Sequence, residues 1–277
     1  MNYLERFKVR SGTRVSLKDF DPAFKDRHET HDDAVQEIEH YRQRLRELQE
    51  LLYVERKPSL LICLQAMDTG GKDGAITHFL GAMNPLGCRV AAFRQPSAEE
   101  AAHDFLWRVH QQAPARGEVV IFNRSHYEDV LVTRVHGLVA KPVLAARYDL
   151  INAFEQGLIE HETHILKFFL HISKDEQLAR FKARLDDPTK HWKISEADYT
   201  EREYWNGYMR AYQEVLSRCS TARAPWFVIP ANHKWFRNLA VARIVVEYLE
   251  GLRLKYPKPT VDLARIRREY HAAERAG

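Results

Sequence analysis

The stretch Leu61–Ile76, LICLQAMDTGGKDGAI, sets an apolar run, a Gly-Gly-Lys turn and a helix-compatible segment in immediate succession. Few architectures accept a buried strand that hands its chain straight to a helix through glycines, and this strand–loop–helix order is the one a phosphate cradle requires. The standard loop reads Gly, four residues, Gly-Lys and then Ser or Thr. Here Ala66 holds the first place, Gly71-Lys72 match, and Asp73 replaces the hydroxyl residue. Gly70 and Gly71 let backbone N–H groups turn toward phosphate oxygens, Lys72 reaches for the terminal phosphates, and the helix that follows presents its positive end. Gly70, Gly71, Lys72, Asp73 and Gly74 are therefore the candidate phosphate contacts. The Mg²⁺-binding hydroxyl is missing; Asp68 and Asp73 are carboxylates able to take a metal-facing role. An ordinary strand-to-helix turn with a solvated lysine uses the same residues and stays open at this point.

The rest of the chain repeats the alternation. An amphipathic helix is expected from Asp32 to about Arg56, with Val35, Ile38, Leu45, Leu48 and Leu52 on one stripe, before the first strand. Strands are expected at Arg89–Phe93, Glu118–Phe122, Ile165–Ile172 and Trp226–Pro230. Helices are expected up to about Met83 and over Ala98–Gln112, Val143–His161, Asp175–Leu185, Ser195–Leu216 and Lys234 to about Lys255. Such alternation implies right-handed βαβ units, with helices on both faces of a sheet. The expectation is a three-layer αβα P-loop kinase-like fold, α/β in class, with a central, mostly parallel five-stranded sheet and a helical lid. Residues 1–31 read as an arm lying on the domain or reaching to a neighbouring subunit, 32–256 as the domain, with its lid at about 180–207, and 257–277 as a tail.

Composition narrows the function. A chain of 277 residues that is 45% hydrophobic fills a sizeable core. A net charge of +4, from 42 basic and 38 acidic residues, is too small to indicate nucleic-acid binding. Three scattered cysteines, Cys63, Cys88 and Cys219, suggest neither a disulfide framework nor a zinc knuckle. No apolar run reaches the length of a membrane span. A cytoplasmic chain is expected.

In parallel sheets ligands sit beyond the carboxyl ends of the strands, so the residues just after each strand carry the chemistry. After the third strand come Asn123-Arg124-Ser125-His126-Tyr127-Glu128-Asp129. Asn123 stands where an acidic metal partner is usual, and Glu128 and Asp129 lie one helical turn further on. Arg124 faces the same pocket with a planar fork suited to phosphate. After the fourth strand, Arg180 and Arg184 share a helix face, and Lys190 and Lys193 crowd a loop broken by Asp186-Asp187-Pro188. That is the composition of a mobile lid over a polyanion, although the acidic residues there, with Glu176, also allow a solvated face of ion pairs. Lys234 and Arg237 open the last long helix at the end of the sheet suited to an anion. Tyr204, Trp205, Tyr208 and Tyr212 suit core packing better than base stacking, and His103, His110, His126 and His136 show no metal-ligand spacing.

Taken together, AMDTGGKDG, FNRSHYEDVLVTRVHG, RLDDPTKHWK and APWFVIPANHKWFRN resemble the type 2 polyphosphate kinase family, and the FNRSHYED form is similar to its short class III members. The resemblance implies reversible phosphoryl transfer from inorganic polyphosphate to adenine, or also guanine, nucleotides, chiefly ADP from AMP and ATP from ADP, with Mg²⁺ or Mn²⁺. It implies that Asp68 orients the acceptor phosphate and, with Asn123 and Glu128, the metals. Lys72, Arg124 and Arg184 would hold phosphate at the transferring centre, and Glu128 would favour AMP as acceptor. A homodimer or homotetramer is implied as well. An ATP-dependent nucleotide kinase and a non-catalytic polyphosphate- or nucleotide-binding protein are the alternatives.

Overall fold

The computed structural model describes residues 1–276. In chain order the elements are helices α1 (Tyr3–Arg6) and α2 (His31–Glu55), strand β1 (Ser59–Ala66), α3 (Lys72–Leu80), β2 (Cys88–Ala92), α4 (Ala98–Ala102), α5 (Trp107–His110) and β3 (Val119–Asn123). They continue with α6 (Glu128–Val135), α7 (Lys141–Glu160), β4 (Thr163–His171), α8 (Lys174–Leu185), α9 (Glu196–Glu203), α10 (Trp205–Cys219), β5 (Trp226–Pro230), α11 (Lys234–Gly251) and α12 (Leu263–Ala276). The expected three-layer α/β fold is observed. Its five strands run in the order β2-β3-β1-β4-β5, and every pairing is parallel rather than mostly so.

The sequence of β1 explains its central place. All eight of its residues are buried, as a strand covered on both faces requires, whereas the edge strand β2 is only partly covered. Helices α2, α3 and α11 pack on one side, and α6, α7 and α10 on the other. The chain leaving β1 crosses to β2 while that leaving β4 goes on to β5, so a crevice opens where the two connections diverge. The other edge, β5, is closed by the N-terminal arm. Val9 donates to the Trp226 carbonyl at 2.8 Å and Val228 to the Phe7 carbonyl at 2.9 Å, while Tyr3, Phe7 and Val9 are buried in the core. Of the two expected courses for residues 1–31, the arm lies on its own domain; it also satisfies an otherwise unpaired strand edge.

Two expected helices are broken. Ala98–Gln112 becomes α4 and α5, because Asp104 turns its side chain to the Leu106 N–H at 3.0 Å and His103 takes an extended backbone. Ser195–Leu216 breaks at Tyr204, which ends α9 and opens α10. Part of the expected tail, 257–277, is helix α12, fully exposed among the described residues; Gly277 lies outside them. The aromatic row does pack the core at Trp205 and Tyr212, the latter stacked on Phe169 with ring centroids 4.1 Å apart.

One charged cluster stands in the middle of this core. Lys167 on β4 is wholly buried and donates to Glu155 Oε2 at 2.5 Å, the Cys219 carbonyl at 2.6 Å and Tyr127 Oη at 3.0 Å. Glu155 Oε1 also accepts from Tyr127 Oη at 2.7 Å and lies 3.1 Å from His126 Nε2. Burial opposes ionisation, but Lys167 and His126 hold the Glu155 carboxyl below its usual range. Lys167→Met strands a buried carboxylate and is expected to lower stability by about 3–5 kcal/mol. Pairing it with Glu155→Leu should recover most of that loss in urea unfolding; equal instability of the single and double variants would show that the ion pair is not the cause.

Candidate active site

A cleft of about 700 Å³ lies at the carboxyl ends of the strands, formed by the β1–α3 loop, the ends of β2 and β3, α8 with the loop after it, and the start of α11. Its shape begins with the loop. Gly70 donates to the Met67 carbonyl at 2.9 Å, and a Cβ on Gly70 would stand 2.5 Å from that of Ala66. Gly71 caps α3 at φ +96°, a left-handed backbone that glycine adopts without strain. A side chain there would also meet Arg237, whose Nη1 would lie 1.9 Å from the added Cβ. The loop thus closes against a guanidinium rather than against a carboxylate.

Lys72 reaches back beneath the loop to the Ala66 carbonyl, Nζ to O 3.2 Å, and burial, then the nearby Arg124, lower its pKa. Arg124 follows β3 with φ +61°, an uncommon backbone for a side chain of this size. Its N–H donates to the Leu64 carbonyl at 3.1 Å, and its guanidinium divides between Asp68 Oδ1 at 3.2 Å and Glu128 Oε2 at 3.3 Å. Asn123 Nδ2 donates to Asp73 Oδ1 at 3.1 Å across the mouth of the loop.

The structure brings Asp68, Gly70, Gly71, Lys72, Asp73, Gly74, Asn123, Arg124, Arg180, Arg184, Lys190, Lys193 and Lys234 to the one cleft. Glu128 is the exception. It lines a small adjoining recess with Leu131, Gln177, Glu201, Tyr208 and Tyr212, and Asp68 and Arg124 border both spaces. Gln65 fixes it there: in the amide orientation that satisfies both neighbours, Nε2 donates to Glu128 Oε1 at 2.9 Å and Oε1 accepts from Ser125 Oγ at 3.1 Å. Asp129 leaves the site altogether for Arg108 at 3.5 Å and Arg147 at 3.6 Å. Its neighbour Arg108 donates to the Arg94 carbonyl at 2.8 Å and so steadies the loop after β2.

Arg180 and Arg237 look alike in sequence and differ in use. Arg180 bonds Glu176 of its own helix at 2.6 Å and the carbonyls of Thr69, Ala231 and Asn232 at 2.9, 2.6 and 3.0 Å, and the three carbonyl contacts pin the loop to the end of β5. Arg237 is only 3% exposed, and it bonds the side chain of Asn238. Burial and the neighbouring Arg180 push its pKa down to about 10. Among the described residues Lys72, Arg94, Arg184, Lys193, Lys234 and Arg237 of the cleft have no carboxylate partner, whereas Arg124, Arg180 and Lys190 pair with Asp68, Glu176 and Asp187. The acidic residues of the lid sequence thus neutralise part of its charge and leave a large surplus facing the cleft.

Among the described residues no three His, Cys, Asp or Glu side chains gather into a metal cage. The oxygens of Asp68, Asp73 and Asn123 at the cleft do suit a hard cation held by one or two carboxylates and by substrate phosphates. The four histidines singled out by sequence are absent from the cleft lining.

Fold and cleft define an α/β protein with an all-parallel five-stranded sheet and a cation-rich cleft at the carboxyl ends of its strands. Residues 28–256 match polyphosphate kinase 2 (PPK2), and the chain belongs to that family. It is 50% identical over 260 residues to the AMP/ADP-polyphosphate phosphotransferase of Meiothermus ruber, covering 92% of this chain and 96% of that one. It is 42% identical over 272 residues to the ADP-polyphosphate phosphotransferase of Rhodopseudomonas palustris, covering 92% and 93%. The crystal structure of polyphosphate kinase 2 from Arthrobacter aurescens superposes with a TM-score of 0.94 at 45% identity, covering 98% of this chain and 97% of that one.

Arg237 gives the sharpest test of the cleft's electrostatics. Arg237→Met removes a buried charge that lacks a carboxylate, so the ligand-free protein should be as stable or about 1 kcal/mol more stable. The stabilisation by saturating tripolyphosphate, about 2.7 kcal/mol at a hundredfold excess over Kd in the parent protein, should shrink. A variant that melts earlier yet keeps the full tripolyphosphate shift would contradict this use of Arg237.

Proposed function

We propose that the protein is a polyphosphate-dependent nucleotide phosphotransferase that makes ADP from AMP and ATP from ADP, reversibly, with inorganic polyphosphate as donor. The observation that carries this reading is the surplus of cations in the cleft. Six of them lack carboxylate partners among the described residues, against two lining carboxylates, Asp73 and Asp198, that pair with no cation, and the net positive field suits a polyanion. The family membership and the names of the relatives support the same donor and acceptors.

In this reading the acceptor phosphate oxygen attacks the terminal phosphorus of polyphosphate, a new P–O bond forms, and the bond to the next phosphate breaks. The products are a nucleotide longer by one phosphate and a chain shorter by one. Lys72, Arg237, the amide of Gly71 and the N-terminus of α3 hold phosphate oxygens and leave little covalent chemistry to the protein, while the Gly70 N–H, spent on the Met67 carbonyl, shapes the loop. Arg124, held between Asp68 and Glu128, places its guanidinium where charge develops, and Arg184, Lys190, Lys193 and Lys234 neutralise the chain from the lid side and from α11. Arg180 acts chiefly by fixing the loop. Residues of about 180–207 form the lid.

Mg²⁺ or Mn²⁺, when bound by Asp68 and Asn123 together with substrate phosphates, would supply Lewis-acid charge at the transferring group. Glu128, set apart in the recess beside Arg124, acts on the acceptor side and favours AMP. The protein works in the cytoplasm, a reading supported by its three unpaired cysteines, and as a homodimer or homotetramer, which the resemblance to the family supports.

Asp68→Asn and Lys72→Ala should each lower turnover with AMP and polyphosphate by roughly 10²–10⁴-fold while leaving the fold intact by circular dichroism. Glu128→Ala should lose more rate with AMP than with ADP. Near-parent turnover in either of the first two variants would refute the site, and equal losses would remove Glu128 from acceptor choice. An ATP-dependent nucleotide kinase predicts the opposite donor preference when ATP and polyphosphate are compared.

A further inference from the structure

Gln177 is buried on the inner side of α8, is 1% exposed, and bridges two elements that are far apart in sequence. Its Nε2 donates to the main-chain carbonyl of Asp68 at 3.1 Å, and its Oε1 accepts from Arg202 Nη1 at 2.8 Å. One partner is an acceptor and the other a donor, so the amide has only one satisfying orientation. Arg202 stands on α9, and the same Nη1 also donates to the Lys174 carbonyl at 2.7 Å, at the opening of α8. Helix α9 is held also by Glu201, which accepts from Tyr208 Oη at 2.8 Å and lies 3.1 Å from His136 Nε2. Asp198 of the same helix lines the cleft.

We propose that Gln177 and Arg202 are positioning residues that make the placing of the Asp68 loop depend on the seating of α9. When α9 is seated, Arg202 orients the Gln177 amide, and the amide fixes the Asp68 carbonyl, with the carboxylate toward Arg124. When α9 lifts, the amide loses the partner that orients it and the loop loses a restraint. Lid closure and assembly of the reacting groups then become one event, which keeps an open site from presenting a fully ordered carboxylate to water. The inference rests on the role proposed for Asp68.

Arg202→Ala severs the lid end of the bridge. It should lower kcat with AMP and polyphosphate by about tenfold, with KM for either substrate changed by less than about threefold, because ground-state contacts to substrate are untouched. Arg202→Lys retains a donor and should return most of the rate. Gln177→Glu keeps the Arg202 pair but cannot donate to the Asp68 carbonyl, and should lose rate as Arg202→Ala does. The double variant Gln177→Met with Arg202→Ala should be no slower than Gln177→Met alone, as expected of two residues acting through one bridge. Hydrogen exchange of the substrate-free protein provides a readout independent of activity: peptides spanning residues 67–71 should exchange faster in Arg202→Ala and Gln177→Glu, with α2 unchanged. Unchanged protection of 67–71, or multiplying rate losses in the double variant, would overturn the coupling. Absence of polyphosphate turnover in the parent protein would refute the proposed reaction instead, and hydrogen exchange alone would still decide the bridge.

Discussion

The site hangs on a buried ion pair that touches no substrate. Lys167 and Glu155 face each other in the core, and the pair is tolerable there because each lysine hydrogen bond goes to a protein oxygen and both carboxylate oxygens are engaged. His126 and Tyr127, which complete the cluster, directly precede Glu128 and are separated from Arg124 by Ser125 alone. The chain therefore leaves β3 with its next few residues fixed from below. Between β3 and this anchored segment Arg124 keeps a left-handed backbone, which costs about 1 kcal/mol or more, with its N–H on the Leu64 carbonyl and its guanidinium between Asp68 and Glu128.

Above this foundation the cleft works by leaving charge unbalanced. Arg180 and Arg237 are both nearly buried and close to the same glycine loop, yet Arg180 is neutralised by Glu176 and three carbonyls while Arg237 meets no carboxylate among the described residues. A buried guanidinium without a counterion is unfavourable until an anion arrives. Arg237 thus leaves uncompensated positive charge beside the glycine loop that opens α3. The cations of the lid sequence divide in the same way: Lys190 is paired with Asp187 at 2.6 Å, whereas Arg184 and Lys193 keep their charges for the cleft.

Much of this was legible in the sequence because it depends on local order. Apolar runs followed by loops and helices fix a parallel sheet, and residues that follow strands must meet at one end of it, so Asp68, Lys72, Asn123, Arg124 and Lys234 could be placed together. The sheet order and the all-parallel pairing agree with that reading. What sequence could not show depends on partners far apart along the chain. Arg180 and Arg237 differ only in which backbone carbonyls and side chains surround them in space. Gln177 carries no motif, and its importance lies wholly in the distances to Asp68 and Arg202. Lys167 reads as an interruption in an apolar strand, a signal that something must pair with it in the core, without naming Glu155. The breaks at His103 and Tyr204 were hidden because helix propensity continues through both, while a side-chain bond from Asp104 overrides it at the first and the backbone turns at Tyr204, between α9 and α10, at the second.

Transfer of phosphate from polyphosphate to a nucleotide in this cleft can be followed atom by atom: ³²P-labelled polyphosphate is incubated with AMP, Mg²⁺ and the full chain, with ATP removed beforehand. Label in the β-phosphate of ADP, with matching loss from the polyphosphate chain and a rate lower by roughly 10²-fold or more in the parallel Asp68→Asn reaction, is the expected result. ADP formed only after ATP is restored, with the label still in polyphosphate, would contradict it.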